Sequence, residues 1–287
     1  MMFYFTLNAF VLFFSTQSLR PPIYVIMMGV LALMGIINGF VTMRLLKFFG
    51  LSDFIFSSLT SAIGLPLFIF TFLAFEVVLS ASAGAYSRWN LMWSILMSII
   101  WSIVNGFFCL VGAYQGYTMK QVQKPIKVHS VARAIPPQPT FMNSAITSLF
   151  FGFVQYLAIC IEFSSLVKSV WRAKIYTLFG FLLVDFLLTI AVVCMLSVLH
   201  TYLTLQHENY VWWWRSFWTG ASGGIYLLIY SVVFLFTEFD VSNFGSDAVY
   251  LIYMVFLIAC YSLMAGTVSV GSSYVFVEHI YTDIRGD

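Results

Sequence analysis

Residues 175–205, IYTLFGFLLVDFLLTIAVVCMLSVLHTYLTL, form an apolar run in which only Asp185 and His200 stand out as polar groups able to carry charge near neutral pH. A helix of about 20 such residues crosses the hydrocarbon core of a bilayer, which is about 30 Å thick. A strand of a membrane barrel would instead alternate apolar and polar residues over about ten positions. Because this run is long and continuous, it predicts a transmembrane helix.

Similar runs occur along the whole chain and predict an all-α fold, a polytopic transmembrane helix bundle with about eight spans in a single transmembrane domain of residues 1–287. The predicted spans lie at about residues 3–19, 21–43, 54–77, 90–118, 141–168, 175–204, 216–237 and 248–275. Residues 3–14 could also be the apolar part of a signal peptide. No basic residue precedes them and no A-x-A site follows, so we expect a retained helix.

The composition argues against a soluble protein. Hydrophobic residues occupy 61% of the 287 positions and charged residues only 8%, whereas about 25% of the residues in a soluble domain are charged. Such a chain requires lipid around it, so the lipid bilayer is its first predicted partner. The net charge of +2 gives no reason to expect a nucleic-acid partner.

No sequence motif predicts enzyme chemistry, since the chain contains no nucleotide-binding loop, nucleophile motif or paired catalytic carboxylates. His200 and His207 lack a partner at the spacing of metal ligands. The four cysteines lie far apart inside apolar runs, which favours free thiols over disulfides. We therefore expect no catalytic residues, no cofactor and no metal.

Basic residues are concentrated in the proline-containing loop at residues 119–140. This loop holds Lys120, Lys124, Lys127 and Arg133 and no acid, so the positive-inside rule predicts that it is cytosolic. Because each span reverses the side of the membrane, the carboxyl terminus is predicted to be cytosolic as well.

Three acids lie within or at the edge of predicted spans and form a candidate intramembrane polar site: Glu76, Glu162 and Asp185. A charge at the centre of a spanning helix costs about 2.5–3.5 kcal/mol unless it is paired, neutralised or hydrated. The acids could form a proton or ion site between helices, or they could be structural acids that face the bundle. Lys168 lies about 240° around the helix from Glu162, so a partner for Glu162 must come from another segment.

The segment 208–217, ENYVWWWRSF, which we call the aromatic block, combines aromatic residues with an arginine and predicts an anchor at the membrane interface. We expect this anchor to hold the last two spans in register. Its candidate residues are Glu208, Tyr210, Trp212, Trp213, Trp214 and Arg215. Residues 135–139, IPPQP, predict a stiff, extended lead-in to the fifth span, although a docking ligand is an alternative.

Glycines separated by three residues let two helices approach closely in a membrane. The apolar runs contain three such pairs, which we expect at helix–helix contacts: Gly35 and Gly39, Gly112 and Gly116, and Gly220 and Gly224.

Several of these segments together resemble one family of membrane proteins, the nonaspanins, also called the transmembrane-nine superfamily of endomembrane protein seventy type. The resemblance is strong from about residue 130 onwards and covers only the last eight spans of that family. The segments that carry it are Arg133–Pro139 (RAIPPQP), Glu162, Ile175–Phe181 (IYTLFGF), Glu208–Phe217, Gly224–Tyr226 and Phe276–Asp287 (FVEHIYTDIRGD).

The resemblance implies a protein of Golgi and endosomal membranes that assists the sorting and surface localisation of transmembrane cargo with glycine-rich spans. It also implies a cytosolic carboxyl terminus. Members of the family end in Lys-x-Asp, a signal for coat-complex subunits, and Arg285 and Asp287 stand at the corresponding positions. Arginine keeps the charge but not the compact ammonium group of lysine, so these two residues are a candidate tail signal.

The sequence also departs from the family pattern. The signal peptide, lumenal domain and first span of the family are not matched, so a truncated paralogue with reduced function is one alternative. Asn209 replaces an aspartate of the aromatic block, and Asp185 stands where the family is typically apolar. A second alternative is an ion- or proton-coupled transporter or channel that uses the intramembrane acids. The favoured interpretation is a non-enzymatic endomembrane sorting protein.

Overall fold

The computed structural model describes residues 21–50, 54–64, 67, 71, 88–120, 134–171, 175–238 and 244–283. The predicted first span, much of the basic loop and the end of the third predicted span lie outside these residues. The described helices are α1 (Pro21–Phe49), α2 (Phe54–Gly64), α3 (Arg88–Thr118), a 3₁₀ helix (Thr140–Met142), α4 (Ser144–Trp171), α5 (Ile175–Gln206), α6 (Trp213–Ala221), α7 (Gly223–Glu238) and α8 (Phe244–Asp283).

All regular structure in the described residues is helical, which confirms the predicted all-α class. Four segments are long and apolar enough to cross a membrane: Ser144–Lys168, Leu182–Gln206, Trp213–Thr237 and Tyr250–Thr282. The shorter of these have 25 residues, so each extends about 37 Å, more than the hydrocarbon core of about 30 Å. The chain is therefore a polytopic integral membrane protein, while the total of eight spans stays a prediction.

The chain forms two compact units. The first unit comprises residues 1–124 and 242–252, and the second comprises residues 125–241 and 253–287. Helices α1, α2 and α3 belong to the first unit, α4 to α7 belong to the second, and α8 contributes to both.

In the first unit, α1 and α3 approach closely at their glycines. A Cβ atom at Gly39 would overlap the carbonyl of Cys109, and one at Gly112 would overlap the carbonyl of Ile36. The other members of these two pairs face the same contact: Gly35 and Gly116. The predicted role of these pairs in helix packing is thus confirmed.

Basic side chains of α1 reach the carboxyl end of α3. Lys47 donates hydrogen bonds to the carbonyls of Tyr117 and Met119, and Arg44 donates one to the carbonyl of Lys120. The last carbonyls of a helix have no partner within it and carry partial negative charge. These contacts therefore satisfy the end of α3 and fix its position against α1.

In the second unit, α4 contacts α5, α6 and α7. The rings of Phe151 on α4 and His200 on α5 lie with centroids 5.6 Å apart. Further along α4, Glu162 interacts electrostatically with Asp185, which precedes His200 on α5. The later of these two residues on α4 interacts with the earlier of the two on α5, so α4 and α5 are antiparallel.

The helix of the seventh predicted span begins at Trp213 and is interrupted at Ser222, between α6 and α7. The Ser222 hydroxyl donates a 2.6 Å hydrogen bond to the carbonyl of Ser148 on α4. A Cβ atom at Gly220 would lie 2.5 Å from the carbonyl oxygen of Ala265 on α8, and Gly224 also faces α8. The third glycine pair therefore lies at a helix–helix contact, as predicted.

Candidate functional site

The structure brings together two of the three predicted intramembrane acids. Glu162 is half-buried on α4, and Asp185 on α5 is only 9% exposed. Their side chains are close enough to interact electrostatically. The third predicted acid, Glu76, lies outside the described residues. The charged side chain of α5 that interacts with Glu162 is therefore an acid, Asp185, and not a base.

Three neutral side chains are linked to Asp185, one of them directly and two through Tyr261. Gln155 on α4, Thr189 on α5 and Tyr261 on α8 are all buried. The amide nitrogen Nε2 of Gln155 donates a 2.5 Å hydrogen bond to the hydroxyl oxygen of Tyr261. The Thr189 hydroxyl lies next to that of Tyr261 without the geometry of a hydrogen bond, and Tyr261 also interacts electrostatically with Asp185. We call these five residues the polar cluster.

Two oxygens of the polar cluster, on Asp185 and Thr189, are left without a hydrogen-bond partner among the described residues. Oδ1 of Asp185 is buried and accepts no hydrogen bond from the described residues. A buried polar atom without a partner costs about 1–3 kcal/mol, and more if it is charged. The cluster can therefore accept a proton, a cation or a donor group from another molecule, and such a ligand would stabilise it.

Spacing along the sequence relates two of the three neutral members of the polar cluster to the acids. Gln155 lies seven residues before Glu162, and Thr189 lies four residues after Asp185. Both spacings place the two residues on one face of a helix. Tyr261 lies on a helix far along the chain, and no spacing in the sequence relates it to the acids.

A second polar feature joins α5, α6 and α8. The hydroxyl of Ser216 on α6 lies 2.7 Å from that of Ser273 on α8 and 3.0 Å from that of Ser269. Thr201 on α5 donates a 2.7 Å hydrogen bond to Ser273. We call this the hydroxyl cluster, and its members are Ser197, Thr201, Ser216, Ser269, Ser272 and Ser273. Hydrogen bonds between helices hold such bundles together where the hydrophobic effect does not.

His200 lies one residue from the hydroxyl cluster and is 1% exposed. Neither ring nitrogen has a hydrogen-bond partner among the described residues. The ring packs edge-to-face against Phe151, and the Arg215 guanidinium is close enough to interact with it electrostatically. The described residues contain no group of three His, Cys, Asp or Glu side chains that could hold a metal ion.

The aromatic block begins where α5 ends. Glu208 adopts a left-handed backbone with φ of 55°, and the Asn209 amide N–H bonds to the carbonyl of Thr204 at 3.1 Å. This arrangement resembles a Schellman cap, which satisfies the last carbonyls of a helix. The Asn209 side chain then accepts a 3.0 Å hydrogen bond from the N–H of Val211. These contacts turn the chain sharply from α5 into α6.

Several aromatic side chains of this block are exposed. Trp214 is 63% exposed, and Tyr210 and Trp213 are also exposed, whereas Trp212 is half-buried. Arg215 donates a 3.3 Å hydrogen bond to the carbonyl of Met142, which precedes α4. The Gln138 amide donates a 3.0 Å hydrogen bond to the carbonyl of His207. The aromatic block and the proline-containing lead-in therefore meet at one end of the second unit.

The expected role of the aromatic block in holding the last two predicted spans in register stays a prediction. Ser216, next to Arg215, does bond α8 through the hydroxyl cluster. The candidate tail residues Arg285 and Asp287 lie outside the described residues.

The family model and the relatives that match this chain agree on one family of membrane proteins. The chain matches the family model described as Endomembrane protein 70 over residues 1–244. It is 26% identical to Transmembrane 9 superfamily member 10 of Arabidopsis thaliana over 96% of this chain and 43% of the relative. It is 29% identical to Transmembrane 9 superfamily member 2 of Saccharomyces cerevisiae over 96% of this chain and 42% of the relative.

A human relative, Transmembrane 9 superfamily member 4, is 26% identical over 67% of this chain and 30% of its own length. The chain thus spans less than half the length of each of these three relatives. No solved structure matches the chain.

Proposed function

This chain belongs to the Endomembrane protein 70 family, and from that membership we propose that it assists the sorting and surface localisation of other transmembrane proteins. The chain is an integral endomembrane protein, and the family match over residues 1–244 is the observation that carries the proposal. The proposal includes residence in Golgi and endosomal membranes and a cytosolic carboxyl terminus. The proposal assigns no catalytic step.

Sorting requires a surface that contacts the transmembrane helix of the cargo. The glycines of the three predicted pairs already pack against helices of this chain, so other small residues must meet the cargo. Gly271 on α8 is exposed, and a Cβ atom there would meet no atom of the described residues within 4 Å. Thr267 and Val275, four residues before and after it, are exposed on the same side of α8. We call these three residues the Gly271 face.

The Gly271 face supports lateral recognition of cargo. Small residues on a lipid-exposed helix let a second helix approach its backbone closely, and a glycine-rich cargo span offers the matching surface. Glu162, half-buried on α4, would add a polar contact to the cargo. On the cytosolic side of the membrane, Arg285 and Asp287 would contact coat-complex subunits. The exposed tryptophans would anchor the second unit at the lipid headgroups.

The test uses cells that lack the gene and two single-span reporters. One reporter has a glycine-rich span, and in the matched reporter those glycines are replaced by leucines. Loss of the gene is expected to lower the surface fraction of the glycine-rich reporter alone, and re-expression is expected to restore it. Gly271→Leu is expected not to restore it, because the new leucine side chain on α8 keeps the cargo backbone away.

Gly64→Leu is the matched control, because Gly64 is also exposed and no atom in the described part of the chain lies within 4 Å of an added Cβ. This variant is expected to restore sorting. Equal surface levels of both reporters with and without the chain would contradict the proposal. Ion flux in liposomes that requires Asp185, with no change in either reporter, would instead identify a transporter.

A further inference from the structure

The polar cluster draws its oxygen-bearing side chains from three helices of the second unit. Asp185 and Thr189 come from α5, Glu162 from α4 and Tyr261 from α8. Gln155 holds the Tyr261 hydroxyl in position through its 2.5 Å hydrogen bond. Neither a histidine nor a cysteine belongs to the cluster, so its ligand chemistry is that of hard oxygen donors.

Asp185 is the charged member of the cluster whose surroundings are incomplete. It is more than nine-tenths buried, and its Oδ1 accepts no hydrogen bond from the described residues. The charged group that faces it from α4 is the acid Glu162, and the group that faces it from α8 is the Tyr261 hydroxyl. Two neighbouring carboxylates repel each other, and a buried carboxylate needs a positive or donating partner. The described helices around Asp185 do not supply that partner.

We propose that the polar cluster binds one sodium ion, with Asp185 and the hydroxyl oxygens of Thr189 and Tyr261 as ligands and Glu162 at the edge of the site. A single positive charge compensates the Asp185 carboxylate and turns the repulsion from Glu162 into attraction toward the ion. Carboxylate and neutral oxygens are the donors that hard cations prefer. Intramembrane acids commonly mark such ion sites.

The composition of the cluster favours a monovalent ion over a divalent one. Sites for Ca²⁺ draw six to eight oxygen ligands, commonly several of them from carboxylates. The described residues contain no group of three acidic, histidine or cysteine side chains, and Glu162 is only half-buried. One deeply buried carboxylate with two hydroxyls matches the charge of Na⁺.

A bound sodium ion would connect α4, α5 and α8 at the level of the cluster. The second unit would then be more stable with sodium than without it, whatever cargo the protein binds. The inference goes beyond sorting and can be tested without any cargo.

The experiment measures the thermal midpoint Tm of the purified full chain in lipid nanodiscs at pH 7.5. Sodium chloride is titrated against choline chloride at constant ionic strength. Because a ligand that binds only the folded state stabilises it by an amount that grows with the logarithm of its concentration above Kd, Tm is expected to keep rising with sodium, by about 5 °C at a sodium concentration well above Kd. Asp185→Asn is expected to abolish the sodium response while keeping a Tm in choline chloride equal to or above that of the wild type.

Asp247→Asn is the matched control, because Asp247 lies in the first turn of α8 and is not a member of the polar cluster. It is expected to respond to sodium as the wild type does. The same response in the wild type and in Asp185→Asn would overturn the proposal, and so would no response in the wild type. A rise in Tm on acidification that requires Asp185, without any sodium response, would also overturn it and identify an acid that binds only a proton.

Failure of this inference is distinguishable from failure of the proposed function. The Tm measurement uses purified protein and no cargo, whereas the reporter experiment varies the Gly271 face and leaves the polar cluster unchanged.

Discussion

Replacing Ser216 with alanine is expected to loosen the contact of α6 with α8. The Ser216 hydroxyl lies 3.0 Å from the carbonyl oxygen of Ser269, 3.0 Å from its hydroxyl and 2.7 Å from the Ser273 hydroxyl. The Ser269 hydroxyl donates its one proton to the Ser216 carbonyl, so the Ser216 hydroxyl donates one hydrogen bond to Ser269 and accepts one from Ser273. Two hydrogen bonds are therefore lost. The alanine methyl group fits in the same space.

The expected magnitude follows from these contacts. Hydrogen bonds between membrane helices contribute about 0.6 kcal/mol each on average, so two contribute about 1.2 kcal/mol. Alanine is a better helix former than serine by about 0.5 kcal/mol, which offsets part of the loss. Ser269 still donates to the carbonyl of Ser216, and Ser273 still accepts from Thr201, so neither hydroxyl is left without a partner. We expect a decrease of about 0.7 kcal/mol in the free energy of unfolding.

The assay is equilibrium unfolding of the purified chain in bicelles, followed by tryptophan fluorescence. Ser164→Ala is the matched control, because among the residues that the structure describes the Ser164 hydroxyl bonds only the carbonyl of Ile161 in its own helix, at 2.7 Å. The control is expected to change the free energy of unfolding by less than about 0.5 kcal/mol. Equal values for the two variants would refute the assignment of the hydroxyl cluster as a contact that stabilises the fold.

Two further substitutions test other contacts with the same unfolding titration. Gly39→Ala is expected to lower the free energy of unfolding by about 1–3 kcal/mol, because the added Cβ overlaps the carbonyl of Cys109. Gly29→Ala, where the Cβ meets no atom within 4 Å, is expected to be no less stable than the wild type, and equal losses in both would exclude close packing at Gly39. Glu208→Gly is expected to raise the free energy of unfolding by about 1 kcal/mol, because glycine adopts φ of 55° without strain. A loss of stability in this variant would show that the cap does not form.

The helical class and the glycine contacts follow from sequence for a simple physical reason. Lipid forces every spanning backbone to satisfy its own hydrogen bonds, so a long apolar run leaves little alternative to a helix. Glycine at every fourth position creates a groove that another helix fills. The sequence does not identify the partner helix, which is α3 for Gly39 and α8 for Gly220.

The candidate site was only partly predictable. Glu162 and Asp185 stand out as charges in apolar runs, but the antiparallel packing of α4 and α5 brings them together, and a pattern within one helix does not encode that register. Tyr261 resembles many other aromatic residues of the chain until its hydrogen bond with Gln155 is known. The hydroxyl cluster was not predicted either. Serine and threonine are common on membrane helices, so the sequence does not show which of them bond one another.

The left-handed conformation of Glu208 was also not predicted. Glycine or asparagine usually marks such a helix end, and neither stands at this position. The cap forms because the chain must turn from α5 into the short α6, where Asn209 supplies the next hydrogen bond.

Site-directed labelling with a membrane-impermeant maleimide tests most directly whether the chain crosses the bilayer as described. The four native cysteines are first replaced by alanine, and single cysteines are then introduced as Lys127→Cys in the basic loop and Val184→Cys on the exposed side of α5. In sealed vesicles with the cytosolic side outward, labelling of Lys127→Cys and protection of Val184→Cys are predicted. Labelling of Val184→Cys in intact vesicles, or of Lys127→Cys only after the vesicles are opened, would contradict the membrane arrangement.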